Sequence, residues 1–158
     1  MRRDGGQGFL PATPDEAPLL TAIAHAAKRH WGYPEHWMAQ WNAALTMSAE
    51  YIACHRVVVA ERSGEVLGFF ALEDGESCWF LEHLWVRPDQ IGKGCGARLF
   101  DQAMSMVRSA RPGSVFIDSD PNAEAFYLKM GARRVGSFPA AVGGTARALP
   151  RLEFVVGP

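Results

Sequence analysis

The sequence predicts a single domain of the α/β class, in its α+β form: a central, mostly antiparallel mixed sheet flanked by helices. Apolar runs at residues 57–61, 66–72 and 78–86 are separated by short polar turns, the pattern of an antiparallel meander. The last run passes through a turn holding Gly92, Gly94 and Gly96 into a helical pattern, and a further strand and helix follow. At 158 residues and 48% hydrophobic, the chain suits one domain with an adequate core. That domain is expected over residues 9–158, after a basic, glycine-rich segment at 1–8 that is expected to be flexible.

Each element has its own signal. Residues 9–12 make a short first strand. Thr13, Pro14 and Glu16 read as a capping box, with Thr13 at the N-cap, Pro14 where its missing N–H costs nothing, and Glu16 reaching back. In the helix that follows, Leu20, Ile23, Ala24 and Ala27 recur at helical spacing, and Gly32 with Pro34 ends the run. Trp37, Met38 and Trp41 mark a second helix, and Ser48 caps a short third. Ser63-Gly64 turns a β-hairpin between 57–61 and 66–72. Leu99, Phe100, Ala103, Met104 and Val107 give the helix after the glycine turn one apolar face. Residues 114–117 form a strand, 122–130 a helix stopped by Gly131, and 133–138 with 152–156 a final pair of strands. Gly143-Gly144 marks a mobile loop between that pair.

Sixteen basic side chains against seventeen acidic ones leave a net charge of −1, which argues against a broad surface for nucleic acid or membrane. Cys54, Cys78 and Cys95 are odd in number and include no C-x-x-C pair, so a reducing compartment is expected rather than a disulfide framework. No metal site is implied, and His30 and His36 have no partner at ligand spacing. Residues 1–8 lack the apolar run of a signal peptide and no later stretch approaches membrane-spanning length, so the expected location is cytoplasmic.

The segment from Leu84, Trp85 and Val86 through Ile91, Gly92, Lys93, Gly94, Cys95, Gly96 and Ala97 carries the chemistry. A strand-to-helix turn leaves several N–H groups unpaired and aimed one way, with the positive end of the helix dipole behind them, which suits a phosphate. Glycine at 92, 94 and 96 lets the backbone approach a pyrophosphate with no Cβ in the way. A Walker loop is excluded, because Lys93 is followed by Gly94 and not by Ser or Thr. The dinucleotide fingerprint G-x-G-x-x-G/A is formally met by Gly92, Gly94 and Ala97, with Asp118 as a ribose partner, but it sits too late in the chain for that fold. A third pattern, Q/R-x-x-G-x-G/A, is closely approached by Ile91-Gly92-Lys93-Gly94-Cys95-Gly96, departing at its first position.

About thirty residues on, Asn122-Ala123-Glu124-Ala125-Phe126-Tyr127-Leu128-Lys129-Met130-Gly131-Ala132 looks like N-x-x-A-x-x-F/Y-Y-x-x-x-G-F/A, with the two residues between the Ala and the aromatic pair missing. Two signatures in this order and spacing resemble the Gcn5-related N-acetyltransferases (GNAT), and the likeness runs over nearly the whole chain. The resemblance implies acetyl-CoA as cosubstrate and a primary amine, of a small molecule or peptide, as acceptor in a direct-attack ternary complex. It leaves room for a homodimer. By the same resemblance, pantetheine lies beside Leu84, Trp85 and Val86 as a pseudo-strand, the pyrophosphate rests on the amides of residues 92–97, and Asn122 contacts the pantetheine or orders the loop beneath it. A plain helix cap is the other reading of Asn122.

Acetyl transfer needs a neutral amine, a donor to the carbonyl oxygen and a proton for the departing thiolate. With an amine pKa near ~10.4 and a thiol near ~8.5, deprotonating the amine is the harder task at neutral pH. Tyr127 matches the family tyrosine that serves the sulfur, and a backbone N–H near Val86 is the usual oxyanion donor. Glu82 is the candidate base, taken by strand alternation to share a face with Leu84 and Val86 while His83 points away; water-relayed deprotonation is the alternative. On the acceptor side the resemblance puts Trp31 and Tyr33, with Trp37 and Trp41 expected to be core because their spacing places them on one helix face. A non-catalytic acyl-CoA-binding or sensor module on the same fold is the rival reading.

Overall fold

The computed structural model describes residues 7–158. Of the segment expected to be flexible, residues 1–6 lie outside the described residues, and Gln7 and Gly8 already belong to the first strand. In chain order the elements are β1 (Gln7–Pro11), α1 (Ala17–Arg29), α2 (Glu35–Gln40), α3 (Asn42–Leu45), α4 (Ala49–Cys54), β2 (Arg56–Arg62), β3 (Glu65–Asp74), β4 (Trp79–Val86), α5 (Cys95–Ala110), β5 (Gly113–Asp118), α6 (Glu124–Lys129), β6 (Arg133–Pro139) and β7 (Ala148–Val156).

Local chemistry sets most of these boundaries. The Thr13 N–H donates to Glu16 Oε1 at 2.9 Å, closing the expected box over a 3-10 turn that leads into α1. Ser48 Oγ accepts the Tyr51 N–H at 3.0 Å and starts α4. The β2–β3 hairpin turns on Ser63 and Gly64, both with positive φ (51° and 81°). One helix expected around Trp37–Trp41 is instead two short ones, α2 and α3, broken at Trp41.

The strands form one sheet in the order β1-β2-β3-β4-β5-β7-β6, antiparallel throughout except for the parallel pair β4 and β5. Helices cover both faces. Val57 and Val59 of β2 pack with Leu20, Met38, Leu45 and Ile52 under α1–α4, while Val58 and Ala60 pack with Leu99, Phe100, Ala103 and Val107 under α5. Burial on both sides explains why β2 and β3 read as unbroken apolar runs rather than alternating ones.

Two expectations are corrected here. Of Trp37 and Trp41, both half-buried, only Trp41 packs against the core beside the buried Met38; Trp37 does not. The loop at Gly143-Gly144 is tied down, since Val142 and Thr145 exchange backbone hydrogen bonds of 3.0 and 2.8 Å and the Gly143 N–H donates to Gln40 Oε1 at 2.9 Å.

Candidate active site

β4 and β5 pair only at Trp79–Val115 and Phe80–Phe116, then part company. Past Phe80 the rest of β4 has no strand partner on that side among the described residues. Across its other edge the Arg87 N–H donates to Leu67 O at 2.8 Å. Because backbone groups alternate sides along a strand, the amides of Leu84 and Val86 turn the opposite way, into the gap. The gap opens on a cleft of about 540 Å³ lined by Leu84, Trp85, Val86, Ile91, Gly92, Gly94, Gly96, Ala97, Asn122 and Tyr127, with Glu82 and Trp31 farther along.

The glycine turn forms one end of this cleft. Gly92 and Gly94 adopt the left-handed backbone (φ 80° and 84°), with Gly94 at the N-cap of α5. The N–H groups of Gly92, Gly94, Cys95, Gly96 and Ala97 donate to no acceptor among the described residues, so they are free to hold an anion. Gly96 faces the Phe126 ring and the Val86 side chain at 3.5 and 3.7 Å from an added Cβ, which closes the turn against α6 and β4. Cys95 contributes backbone alone: its side chain is buried in the core under α5, and burial pushes the thiol up. Lys93 does not line the cleft, and Ile91 is exposed at its rim.

Tyr127 reaches the cleft wall from α6 and is buried between Phe100 and Phe126. The end of α6 fixes it: Gly131 (φ 106°) donates to Leu128 O and the Ala132 N–H to Tyr127 O at 3.0 Å. Burial pushes the phenol above its ordinary range, with the negative charge of Asp120 adding to it, so the side chain holds its proton. Its hydroxyl bonds to nothing among the described residues.

Glu82 joins the cleft for a different reason than simple alternation. Ala71 pairs with His83 but Leu72 pairs with Leu81, so Glu82 is the extra residue of a β-bulge. The bulge resets the phase, and Leu81, Leu84 and Val86 all pack toward α5. Glu82 is exposed by area yet crowded by protein. That crowding first, then the negative charges of Glu73 and Asp118, holds its carboxyl above the ordinary carboxylate range. It makes no hydrogen bond or ion pair among the described residues. His83 does face the other way, accepting the Trp85 Nε1–H on Nδ1 at 2.9 Å, and burial lowers it to about 4 despite the pull of Glu73, so the imidazole is neutral.

At the far end, Trp31 stands open at the cleft while Tyr33 lies behind the wall. Tyr33, Trp37 and Trp41 form one aromatic cluster, with ring centres 4.9 to 6.0 Å apart. Two cations already occupy it: Lys28 Nζ lies 4.1 Å from the Trp41 ring centre and Arg147 lies 5.1 to 5.5 Å from all three. Asp120, on the cleft wall, accepts from Lys28 at 2.5 Å and from the Tyr33 hydroxyl at 2.9 Å. Burial alone would raise this carboxyl, but Lys28 with the Asn122 and Tyr33 donors outweighs it and holds the group below the ordinary range. Asn122 is not the cap of its own turn. Asp120 is, accepting the Asn122 N–H at 2.8 Å.

Residues 19–143 match the Acetyltransferase (GNAT) domain family, well over half of the chain. The chain belongs to the GNAT acetyltransferases. None of the curated protein sequences compared matches it. Among solved structures it is similar to a GCN5-related N-acetyltransferase from Rhodopseudomonas palustris, with 20% identity, a TM-score of 0.79, and 98% and 99% of the two chains covered. It is also similar to the PaiA N-acetyltransferase of Thermoplasma acidophilum in complex with coenzyme A, at 16% identity, TM-score 0.78 and coverage of 95% and 99%. A third likeness is YncA of Salmonella typhimurium, a putative acetyltransferase solved with acetyl-CoA, at 17% identity, TM-score 0.70 and coverage of 97% and 95%. These likenesses are of fold.

A GNAT sheet with a single parallel pair is not the doubly wound sheet of a dinucleotide-binding protein, and Asp118 is spent on Arg151 at 2.7 and 2.9 Å. Sequence reasoning missed Lys28, Asp120 and Arg147. The contacts that tie them together span 87 to 114 residues, and no local pattern points to those contacts. No helix is long and apolar enough to cross a membrane among the described residues.

Proposed function

We propose that this GNAT protein transfers an acetyl group from acetyl-CoA to a primary amine of a small molecule or peptide, by direct attack in a ternary complex. One observation carries the reading. The free amides of Leu84 and Val86 and those of the glycine turn open on the same cleft as a buried, protonated Tyr127 and an unpaired Glu82. This donor set fits a long, uncharged amide-bearing chain ending in a pyrophosphate. Pantetheine would pair with Leu84 and the Val86 C=O, leaving the Val86 N–H for the acetyl carbonyl, and Gly92, Gly94, Gly96 and Ala97 would hold the phosphates.

Acetyl-CoA supplies the activated thioester; the chain supplies the rest. Tyr127 gives its proton to the departing sulfur. The Val86 N–H, fixed in the strand before substrate arrives, donates to the carbonyl oxygen as charge develops there. Glu82, with its raised proton affinity, is matched to accept a proton from the incoming ammonium, directly or through water. The reducing cytoplasm suits three cysteines that remain free thiols. A non-catalytic acyl-CoA sensor would need the amide cradle but not Tyr127, and the retained tyrosine favours turnover.

Thiol release from acetyl-CoA over a panel of amines tests the activity, and Tyr127→Phe tests the mechanism. The variant should keep its fold and its acetyl-CoA affinity while turnover falls roughly 10²–10⁴-fold, the usual worth of a positioned acid. Turnover within about threefold of the parent, under ~1 kcal/mol, removes Tyr127 from the acid's role.

A further inference from the structure

The β6–β7 loop is fastened to α2 at three points. The Gly143 N–H donates to Gln40 Oε1, and the Gly143 backbone sits so close to Trp37 that an added Cβ would lie 2.3 Å from its Nε1. Arg147, just before β7, stacks on Tyr33, Trp37 and Trp41 and donates from Nη2 to the Tyr33 hydroxyl at 3.0 Å. That same hydroxyl donates to Asp120 and accepts from Asn122 Nδ2 at 2.8 Å. Asp120 and Asn122 line the cleft, within one helical turn and a 3-10 turn of Tyr127.

We propose that Arg147 and Tyr33 are positioning residues for the acetyl transfer: Arg147 holds the β6–β7 loop on the aromatic cluster, and the Tyr33 hydroxyl passes that placement to Asn122 on the cleft wall. The proposal rests on the acetyl-transfer reading for its kinetic consequence and on contacts alone for the coupling. It also reassigns the aromatic cluster. Arg147 and Lys28 already lie over its rings, so a cationic acceptor there would meet two like charges, and Tyr33 serves the acceptor by holding walls rather than by touching it. A planar guanidinium suits this place, since it stacks on rings and donates in their plane at once.

Hydrogen exchange at two places tests the coupling. In Arg147→Ala the amides of Gly143 and Thr145 should exchange about tenfold faster, and so should those of Asn122 and Ala123, while β2 and β3 stay protected. Gly143→Ala, which cannot seat against Trp37 and has φ +56°, should release both places too. Tyr33→Phe should free the 120–123 turn and leave the loop protected. Arg147→Lys, keeping charge over the rings without the fork, should fall between. In turnover, Arg147→Ala should raise the acceptor KM more than it lowers kcat. Faster exchange confined to the loop, or none at all, overturns the proposal. A parent protein that binds no acetyl-CoA would instead strike the acetyl-transfer reading, and the exchange pattern would still decide the coupling.

Discussion

At the glycine-turn end of the cleft, the polar groups that open on it are backbone amides, those of Leu84, Val86, Gly92, Gly94, Gly96 and Ala97. At the acceptor end they are side chains, and the contacts that hold them, such as Tyr33 with Asp120 and Arg147 with Tyr33, span 87 and 114 residues. Backbone donors depend on chain path, so their site tolerates many side chains and fails only where the path is disturbed. Side-chain donors depend on each partner being present, so single substitutions there should be felt one at a time. The two ends can be told apart by where a mutation must act to hurt.

The largest effect is expected from disturbing the path. Gly94→Asp forces a side chain onto a backbone at φ 84°, with its Cβ 3.0 Å from Arg98 Nη1, and brings negative charge to the proposed phosphate cradle. Acetyl-CoA affinity by calorimetry should fall by at least ~10²-fold, through strain and charge together. Arg98 could take up the new carboxylate, so Gly94→Ala isolates the strain and should lose less. Unchanged affinity in the Asp variant would break the comparison, since the turn would then not be the phosphate site.

At the other end a single carboxylate should matter next most. With Glu82 held above the ordinary carboxylate range, a base role predicts turnover that rises with pH as Glu82 loses its proton. Glu82→Gln should cost roughly 10- to 100-fold at neutral pH and abolish that acid limb. Glu73→Gln removes one of the charges that raise Glu82, so the limb should move to lower pH. Glu73 also accepts the Tyr51 hydroxyl at 2.7 Å, which holds it in place. A limb that stays in Glu82→Gln assigns the proton to water or to the substrate itself.

The same contrast governs how far the sequence could be read. Signals acting over a few residues were legible: the Thr13 box, the Ser48 cap, the Ser63-Gly64 turn, the glycines of the turn before α5 and the stop at Gly131. Glu82 was placed at the cleft by a parity argument that the bulge invalidates, because an inserted residue changes the phase without changing the composition of the strand. Trp37 and Trp41 stay side by side, ring centres 6.0 Å apart, though the helix breaks at Trp41, and the cations over them, Lys28 and Arg147, come from elsewhere in the chain. The parting of β4 from β5, which makes the cleft, left no mark in either strand.

The smallest and most discriminating change is Ile91→Arg. Residue 91 is 42% exposed at the rim of the turn, beside the amides proposed to do the binding. A guanidinium there would add a charge-assisted contact to phosphate, but solvent would screen it, so acetyl-CoA should bind only about 2- to 5-fold tighter at low salt. The gain should shrink as ionic strength rises, whereas the contribution of the backbone amides, short-ranged and partly enclosed, should change less. If the variant binds an order of magnitude more weakly, position 91 does not point at phosphate and the path of the turn differs from the one argued. If it binds more than tenfold tighter, the cofactor end relies on side chains after all, and the division between a backbone-built end and a side-chain-built end fails.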